Sequence, residues 1–144
     1  MNLKENNIKR INCLKDFKCE TLENLNLSGN KLSDINILDR VNFPELKELD
    51  LNNNEISDIK VLENVKFEKL EKLSLGHNEI SDINILEKVK FKELKELYLN
   101  DNNISDIKVL ENVKFEKLEK LDLKGNKIKN KSIISKLKTK NIYL

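Results

Sequence analysis

One histidine, one proline, three glycines and no tryptophan occur in the 144 residues, and each scarcity excludes something. A lone imidazole, with neither C-x-x-C nor H-E-x-x-H spacing, gives no set of metal ligands. Three scattered glycines cannot build a phosphate-cradling loop. No metal, cofactor or catalytic set is therefore expected, and the chain reads as a non-enzyme. Charge of one sign is also lacking: 27 basic against 25 acidic side chains leave +2, too weak a field to gather nucleic acid or an anionic membrane. No stretch approaches the ~20 apolar residues of a membrane span, and Met1 to Asp16 is charged throughout, with no apolar run of secretory length. A cytoplasmic location is expected from the last two absences, with a secreted effector as the alternative, and the chain is expected to be a monomer. With aromatics at 5% and charged residues at 36%, a conventional two-layer core would be thin.

What is present is a period. Leu22, Leu46, Leu70, Leu94 and Leu118 stand 24 residues apart, as do Leu25, Leu49, Leu73, Leu97 and Leu121, and Leu27, Leu51, Leu75, Leu99 and Leu123. An asparagine column follows at Asn30, Asn54, Asn78, Asn102 and Asn126. The unit is L-x-x-L-x-L-x-x-N-x-I-S-D-I-x-x-L-E-x-V-x-F-x-x. Met1, Leu3, Asn6, Ile8, Ile11 and Leu14 fall in the same phase, so six periods fill the chain without a linker.

The L-x-L alternation turns leucines inward and the residues between them outward, and stacked units form a parallel sheet. The asparagine amide can satisfy backbone groups at the bend. Asp34, Asp58, Asp82 and Asp106 precede I-x-x-L-x-x-V, predicting a short helical or 3₁₀ segment with Ser or Asp at its N-cap. Phe43, Phe67, Phe91 and Phe115 form a spine before the next strand. Strands are predicted at Met1–Leu3, Glu23–Leu27, Lys47–Leu51, Glu71–Leu75, Lys95–Leu99 and Glu119–Leu123, with a further edge strand at Asn141–Leu144.

Charges carry a second period. Glu23, Lys47, Glu71, Lys95 and Glu119 alternate in sign, as do Glu48, Lys72, Glu96 and Lys120; Glu45, Lys69, Glu93 and Lys117; and Glu68, Lys92, Glu116 and Lys140. Stacked neighbours are thus opposite charges, which fixes register more than it adds stability.

The pattern L-x-x-L-x-L-x-x-N-x-I resembles the leucine-rich repeat family over the whole chain, and the I-S-D-I segments are similar to its internalin-like branch. The resemblance implies an α/β right-handed solenoid with a concave parallel β-sheet and short helical or 3₁₀ convex segments. Residues 1–144 make one domain, with 1–21 as N-terminal cap repeat and 118–144 as C-terminal cap repeat. It also implies a protein-protein interaction module that binds a protein or peptide on its concave face. Cys13 aligns with Ile37, Val61, Ile85 and Val109, and Cys19 with the phenylalanine column. Two buried reduced thiols are expected, against a disulfide-stapled cap of the kind that secreted relatives carry.

Repeats Leu46–Lys69 and Leu94–Lys117 differ only at Asp50/Tyr98, Asn53/Asp101 and Glu55/Asn103. Fold-specifying residues are kept, and residues displayed on or beside the concave surface differ. The candidate partner-binding patch is therefore Asp50, Ser74, His77, Tyr98, Asn100, Asp101 and Asp122. Tyr98 supplies the aromatic anchor, and acid around it favours a basic or polar partner segment. Sheet dimensions of ~24 by ~13 Å give roughly 300 Å², below the ~800 Å² per partner of a standard interface, which suits a short peptide. Ser74, His77 and Asp101 could conceivably form a catalytic triad, but serine and aspartate are too common here to single them out. The second reading is nucleic-acid binding through the convex column Lys66, Lys90, Lys114 and Lys138, with Asp39, Glu63, Glu87 and Glu111 three residues earlier as acid partners.

Overall fold

Leucine at alternate positions gives each unit one short strand, and six stack in chain order into a single parallel sheet. The computed structural model describes residues 1–137, 139 and 141–144. Its strands are β1 (Asn24–Asn26), β2 (Glu48–Asp50), β3 (Lys72–Ser74), β4 (Glu96–Tyr98), β5 (Lys120–Asp122) and β6 (Asn141–Tyr143). Leu25, Leu49, Leu73, Leu97, Leu121 and Ile142 run in register across them. The predicted first strand is reduced to one bridge, Asn2 to Asn26, at the sheet edge where only one neighbour is available. The predicted last strand forms. It is reached by a step three residues shorter than the 24-residue period, since Leu121 pairs with Ile142. Ile142 takes the inward role, whereas Leu144 stays exposed.

Each strand is followed by a bend that the asparagine column holds. Asn78 Nδ2 donates to the carbonyls of Leu51, Leu75 and Gly76 at 3.0–3.1 Å, and its Oδ1 accepts the Ile56 N–H at 3.0 Å. Asn54 and Asn102 repeat this arrangement one unit away on either side. Carbonyls that a turn inside a stack would strand are paired in this way.

The convex returns are 3₁₀ turns, among them Asn36–Asp39, Lys60–Glu63, Asn84–Glu87 and Lys108–Glu111. Their N-caps are isoleucines (Ile35, Ile59, Ile83 and Ile107) with no capping side chain, contrary to the predicted Ser or Asp. The aspartate acts one residue earlier. Asp34, Asp58, Asp82 and Asp106 each accept the N–H two residues on, at 2.8–2.9 Å. Asn130, in the same column of the last unit, accepts the Ser132 N–H at 2.9 Å, so this substitution keeps the turn.

Phe43, Phe67 and Phe91 are buried, and the leucine columns of the central units are closed to solvent. No unit could bury these side chains alone, so stability resides in neighbour contacts. At the N-terminal end Cys13 is exposed and Cys19 half-buried, which corrects the expectation of two buried thiols. The cause is visible in its column: Ile37 and Ile85 are themselves only half-buried, and the first unit has a neighbour on one side only. Both cysteines are free thiols, and no disulfide staples this cap. Phe17 is exposed too and rests edge-on against Phe43, with ring centroids 6.2 Å apart. At the other end the shortened return opens a crevice of about 700 Å³ beside Val113, Phe115 and Leu118.

The alternating charges form ion pairs between stacked units: Lys47–Glu23 at 2.8 Å, Lys95–Glu71 at 2.7 Å, Lys69–Glu45 at 2.6 Å and Lys117–Glu93 at 2.5 Å. Lys47 and Lys95 are held above the ordinary lysine range by their hydrogen bonds to Glu23 and Glu71, and Glu71 is held below the carboxylate range by Lys95. These four pairs join a glutamate of one unit to the lysine of the next, so the first and second full units are tied together, and the third and fourth. Glu68, Lys92 and Glu116 form no ion pair among the described residues, and Lys140 lies outside them.

Candidate functional site

The side chains between the inward leucines make a column across the concave sheet: Asn26, Asp50, Ser74, Tyr98, Asp122 and Tyr143. Most of its short polar members have a local duty. Asn26, Asp50 and Asp122 each turn Oδ1 back onto the N–H two residues on, at 2.9–3.1 Å, closing the strand exit. At Ser74, whose hydroxyl does not make this bond, the Asn52 Oδ1 of the preceding unit accepts the Gly76 N–H at 2.6 Å instead. Tyr98 cannot close its exit, and no acceptor meets the Asn100 N–H among the described residues. One unit therefore exchanges a backbone cap for an aromatic ring.

That ring is half-buried beneath cations. Lys120 Nζ lies 4.7 Å and Lys72 Nζ 5.5 Å from its centroid. The hydroxyl donates to Glu96 Oε2 at 2.6 Å, and Lys72 approaches the same carboxylate at 3.9 Å. Lys120 also reaches the Tyr143 ring, at 5.5 Å, and Lys124 lies over that ring at 5.0 Å. The row is thus Lys72, Tyr98, Lys120, Tyr143 and Lys124. Contact with the Tyr98 hydroxyl holds Lys120 above the ordinary lysine range. Asp122 stands beside Tyr98 in register, as the columns predict, but the groups over its ring are ammoniums, brought there by long side chains that register alone does not locate.

The remaining candidates divide. Asn100 is half-buried beside Tyr98, and Asp50 and Asp122 are half-buried in its column. Ser74 is only 4% exposed, so it belongs to the floor rather than to a displayed surface. Its small side chain lies between the larger Asp50 and Tyr98 on the adjacent strands.

His77 and Asp101 are exposed at the strand-exit turn, with His77 Nε2 3.3 Å from Asp101 Oδ2. Asn100 Nδ2 donates to that same oxygen at 2.7 Å. No hydrogen bond joins Ser74 to His77, so the conceivable triad is not assembled. Among the described residues no group of His, Cys, Asp and Glu converges as a metal site.

His77 and Asp101 have a backbone reason to be where they are. Glu5, Gly29, Asn53, His77, Asp101 and Gly125 share one column, and all have φ between 52° and 69°. The bend requires the left-handed region, which Gly, Asn, Asp and His tolerate best. That run of residue types was the signal the sequence offered for this column. Around it the surface is shaped by two glycines: the Asn100 carboxamide lies over Gly76 and the Asp101 carboxylate over Gly125, each in space that a Cβ would occupy.

Towards the N-terminal end of the sheet, Glu48, Asp50, Lys72 and Ser74 border a hollow of about 320 Å³ that reaches Met1, Asn2, Asn24 and Asn26. On the convex side Lys66, Lys90 and Lys114 are exposed, and Lys138 lies outside the described residues. The predicted i, i+3 acid partners turn elsewhere. Glu63 meets Lys88 at 4.0 Å, Glu111 meets Lys136 at 2.8 Å, and Asp39 meets Arg40 at 3.7 Å. A lysine one unit on reaches the glutamate where the lysine of its own turn does not.

No helix among the described residues is long and apolar enough to cross a membrane. No curated protein sequence matches the chain significantly. Among solved structures, internalin C2 from Listeria monocytogenes is similar with a TM-score of 0.77 and 26% identity, over 98% of this chain and 58% of that one. A leucine-rich-repeat protein of Leptospira interrogans gives 0.71 and 27%, over 87% and 32%. The plant peptide hormone receptor RGFR1, solved in complex with RGF2, gives 0.62 and 25%, over 86% and 20%. The chain thus spans little more than half of the first of these relatives and less of the others. The family model described as leucine-rich repeats (2 copies) matches at residues 20–64, 44–88, 68–112 and 92–138. With the parallel sheet, asparagine-held bends and 3₁₀ returns, these matches define the chain: it belongs to the leucine-rich repeat family.

Proposed function

We propose that this solenoid is a binding module that takes a protein or peptide on its concave face, centred on Tyr98. The observation that carries this reading is the exchange at Tyr98. Where Asn26, Asp50 and Asp122 close their strand exits, Tyr98 leaves the Asn100 N–H without an acceptor among the described residues and presents an aromatic ring. A fold-neutral residue at that position would be another Asn or Asp. Tyrosine offers contact area with only two rotatable side-chain bonds to order, which suits an anchor. The plant receptor RGFR1, similar in fold, was solved with RGF2 bound, in keeping with a peptide-sized partner. Two free thiols fit a reducing compartment such as the cytoplasm.

A photo-crosslinking amino acid placed at position 98 and, separately, at position 90 tests the site in the source cell. Adducts that form from position 98 and not from 90 support the concave reading. Adducts that form only from 90 transfer the interaction to the convex lysine column, and their digestion by nuclease would make the partner a nucleic acid.

A further inference from the structure

The concave face is electrically divided along the solenoid axis. Towards β2, Glu48 and Asp50 border the hollow and form no ion pair among the described residues. Lys72, which also lines it, turns to Glu96 and the Tyr98 ring, and the Met1 amino group donates to the Asn24 carbonyl. Towards β5 and β6, Lys120 and Lys124 lie over tyrosine rings and likewise have no carboxylate partner. Of the nearby acids, Asp101 accepts from Asn100 Nδ2 at 2.7 Å. Asp122, whose Oδ1 accepts the Lys124 N–H at 3.1 Å just as Asp50 Oδ1 accepts that of Asn52 at 3.0 Å, forms no ion pair with either lysine among the described residues. An ammonium resting on a ring keeps its outer side open to solvent, and the Asn100 N–H adds an uncommitted donor beside the same rings. One end of the face therefore carries two unpaired ammoniums against the single carboxylate of Asp122, and the other carries the two unpaired carboxylates of Glu48 and Asp50 with room for a side chain.

From these groups we infer that the partner is an extended, charge-segregated peptide lying across the strands. Its basic side chain sits in the hollow at Glu48 and Asp50, and its carboxylate side chain meets Lys120 and Lys124. A backbone carbonyl accepts the Asn100 N–H between them. The inference rests on the concave reading above and adds the chemistry of the ligand. Three strand gaps separate β2 from β5, about 14 Å at ~4.8 Å each, which an extended chain covers in roughly four residues. The recognised pattern is a basic and an acidic residue about four positions apart. Tyr98, standing between the two ends, packs against the intervening side chains.

The test uses the ¹⁵N-labelled full chain and three acetylated, amidated peptides: Lys-Thr-Val-Thr-Glu, Lys-Thr-Val-Thr-Lys and Glu-Thr-Val-Thr-Glu. The mixed-charge peptide is expected to bind about threefold more tightly than either like-charged one, the difference one mismatched exposed charge makes. It should shift the amides of β2, β5 and Asn100. In a Lys120→Gln/Lys124→Gln variant its advantage over the all-lysine peptide should vanish, while its advantage over the all-glutamate peptide remains. Equal binding of all three peptides on the concave amides overturns the inference and leaves the concave reading standing. Shifts confined to the turns bearing Lys66, Lys90 and Lys114 overturn both, as does an absence of any shift.

Discussion

The ammonium of Lys120 lies 4.7 Å from the centroid of the Tyr98 ring, reaching it from the adjacent strand of the parallel sheet. The two residues should therefore be energetically coupled in the free protein. A double-mutant cycle of Tyr98→Leu and Lys120→Met, measured by denaturant unfolding, is expected to give a coupling of about 0.5 kcal/mol. A coupling near zero would mean that solvent, rather than the ring, hosts this lysine.

Asn78 should be far more costly to replace than its neighbours at the surface. Its amide serves three carbonyls and its oxygen one N–H, all at 3.0–3.1 Å. Asn78→Ala leaves them unpaired inside the stack, a loss of roughly 2–3 kcal/mol in unfolding free energy. Asn126, half-buried near the C-terminal end, should cost less when changed in the same way.

Gly125 carries two constraints, a φ of 69° and the Asp101 carboxylate lying where its Cβ would be. Gly125→Ala is expected to destabilise by about 1–2 kcal/mol from the left-handed backbone alone, and by more with the clash. Adding Asp101→Gly should restore the part due to the clash and leave the backbone part. No rescue in the double variant would show that the carboxylate moves aside freely.

Cys13 should react with a thiol reagent in the native state, because it is exposed; Cys19, half-buried, should react more slowly. Time-resolved thiol titration without denaturant would therefore show one fast equivalent and a delayed second. A protein silent until guanidinium is added would restore the expectation of two buried thiols.

These residues also mark what a sequence displays and what it hides. The leucine and asparagine columns were legible because every copy repeats the same demand on the same face. The left-handed column was written in Gly29, Asn53, His77, Asp101 and Gly125, yet their varied chemistry invited a functional reading of His77 and Asp101 before a backbone one. Burial of Ser74 was hidden because it depends on the size of Asp50 and Tyr98 across two strand gaps. The lysines over Tyr98 were hidden for another reason: a four-carbon side chain can end several ångströms from its own column, and only packing decides where. At Cys13 the column predicted a core position, but a terminal unit lacks the neighbour that would complete it.

The concave site is tested most directly by titration calorimetry of the crosslinked partner against Tyr98→Ala and Lys90→Ala. Tyr98→Ala should weaken binding by about 1–2 kcal/mol, the cost of truncating an interface anchor, with the parallel sheet retained by circular dichroism. Lys90→Ala, on the opposite side of the solenoid, should leave the affinity unchanged. Weakening by Lys90→Ala together with full affinity for Tyr98→Ala would contradict the account and place the partner on the convex face.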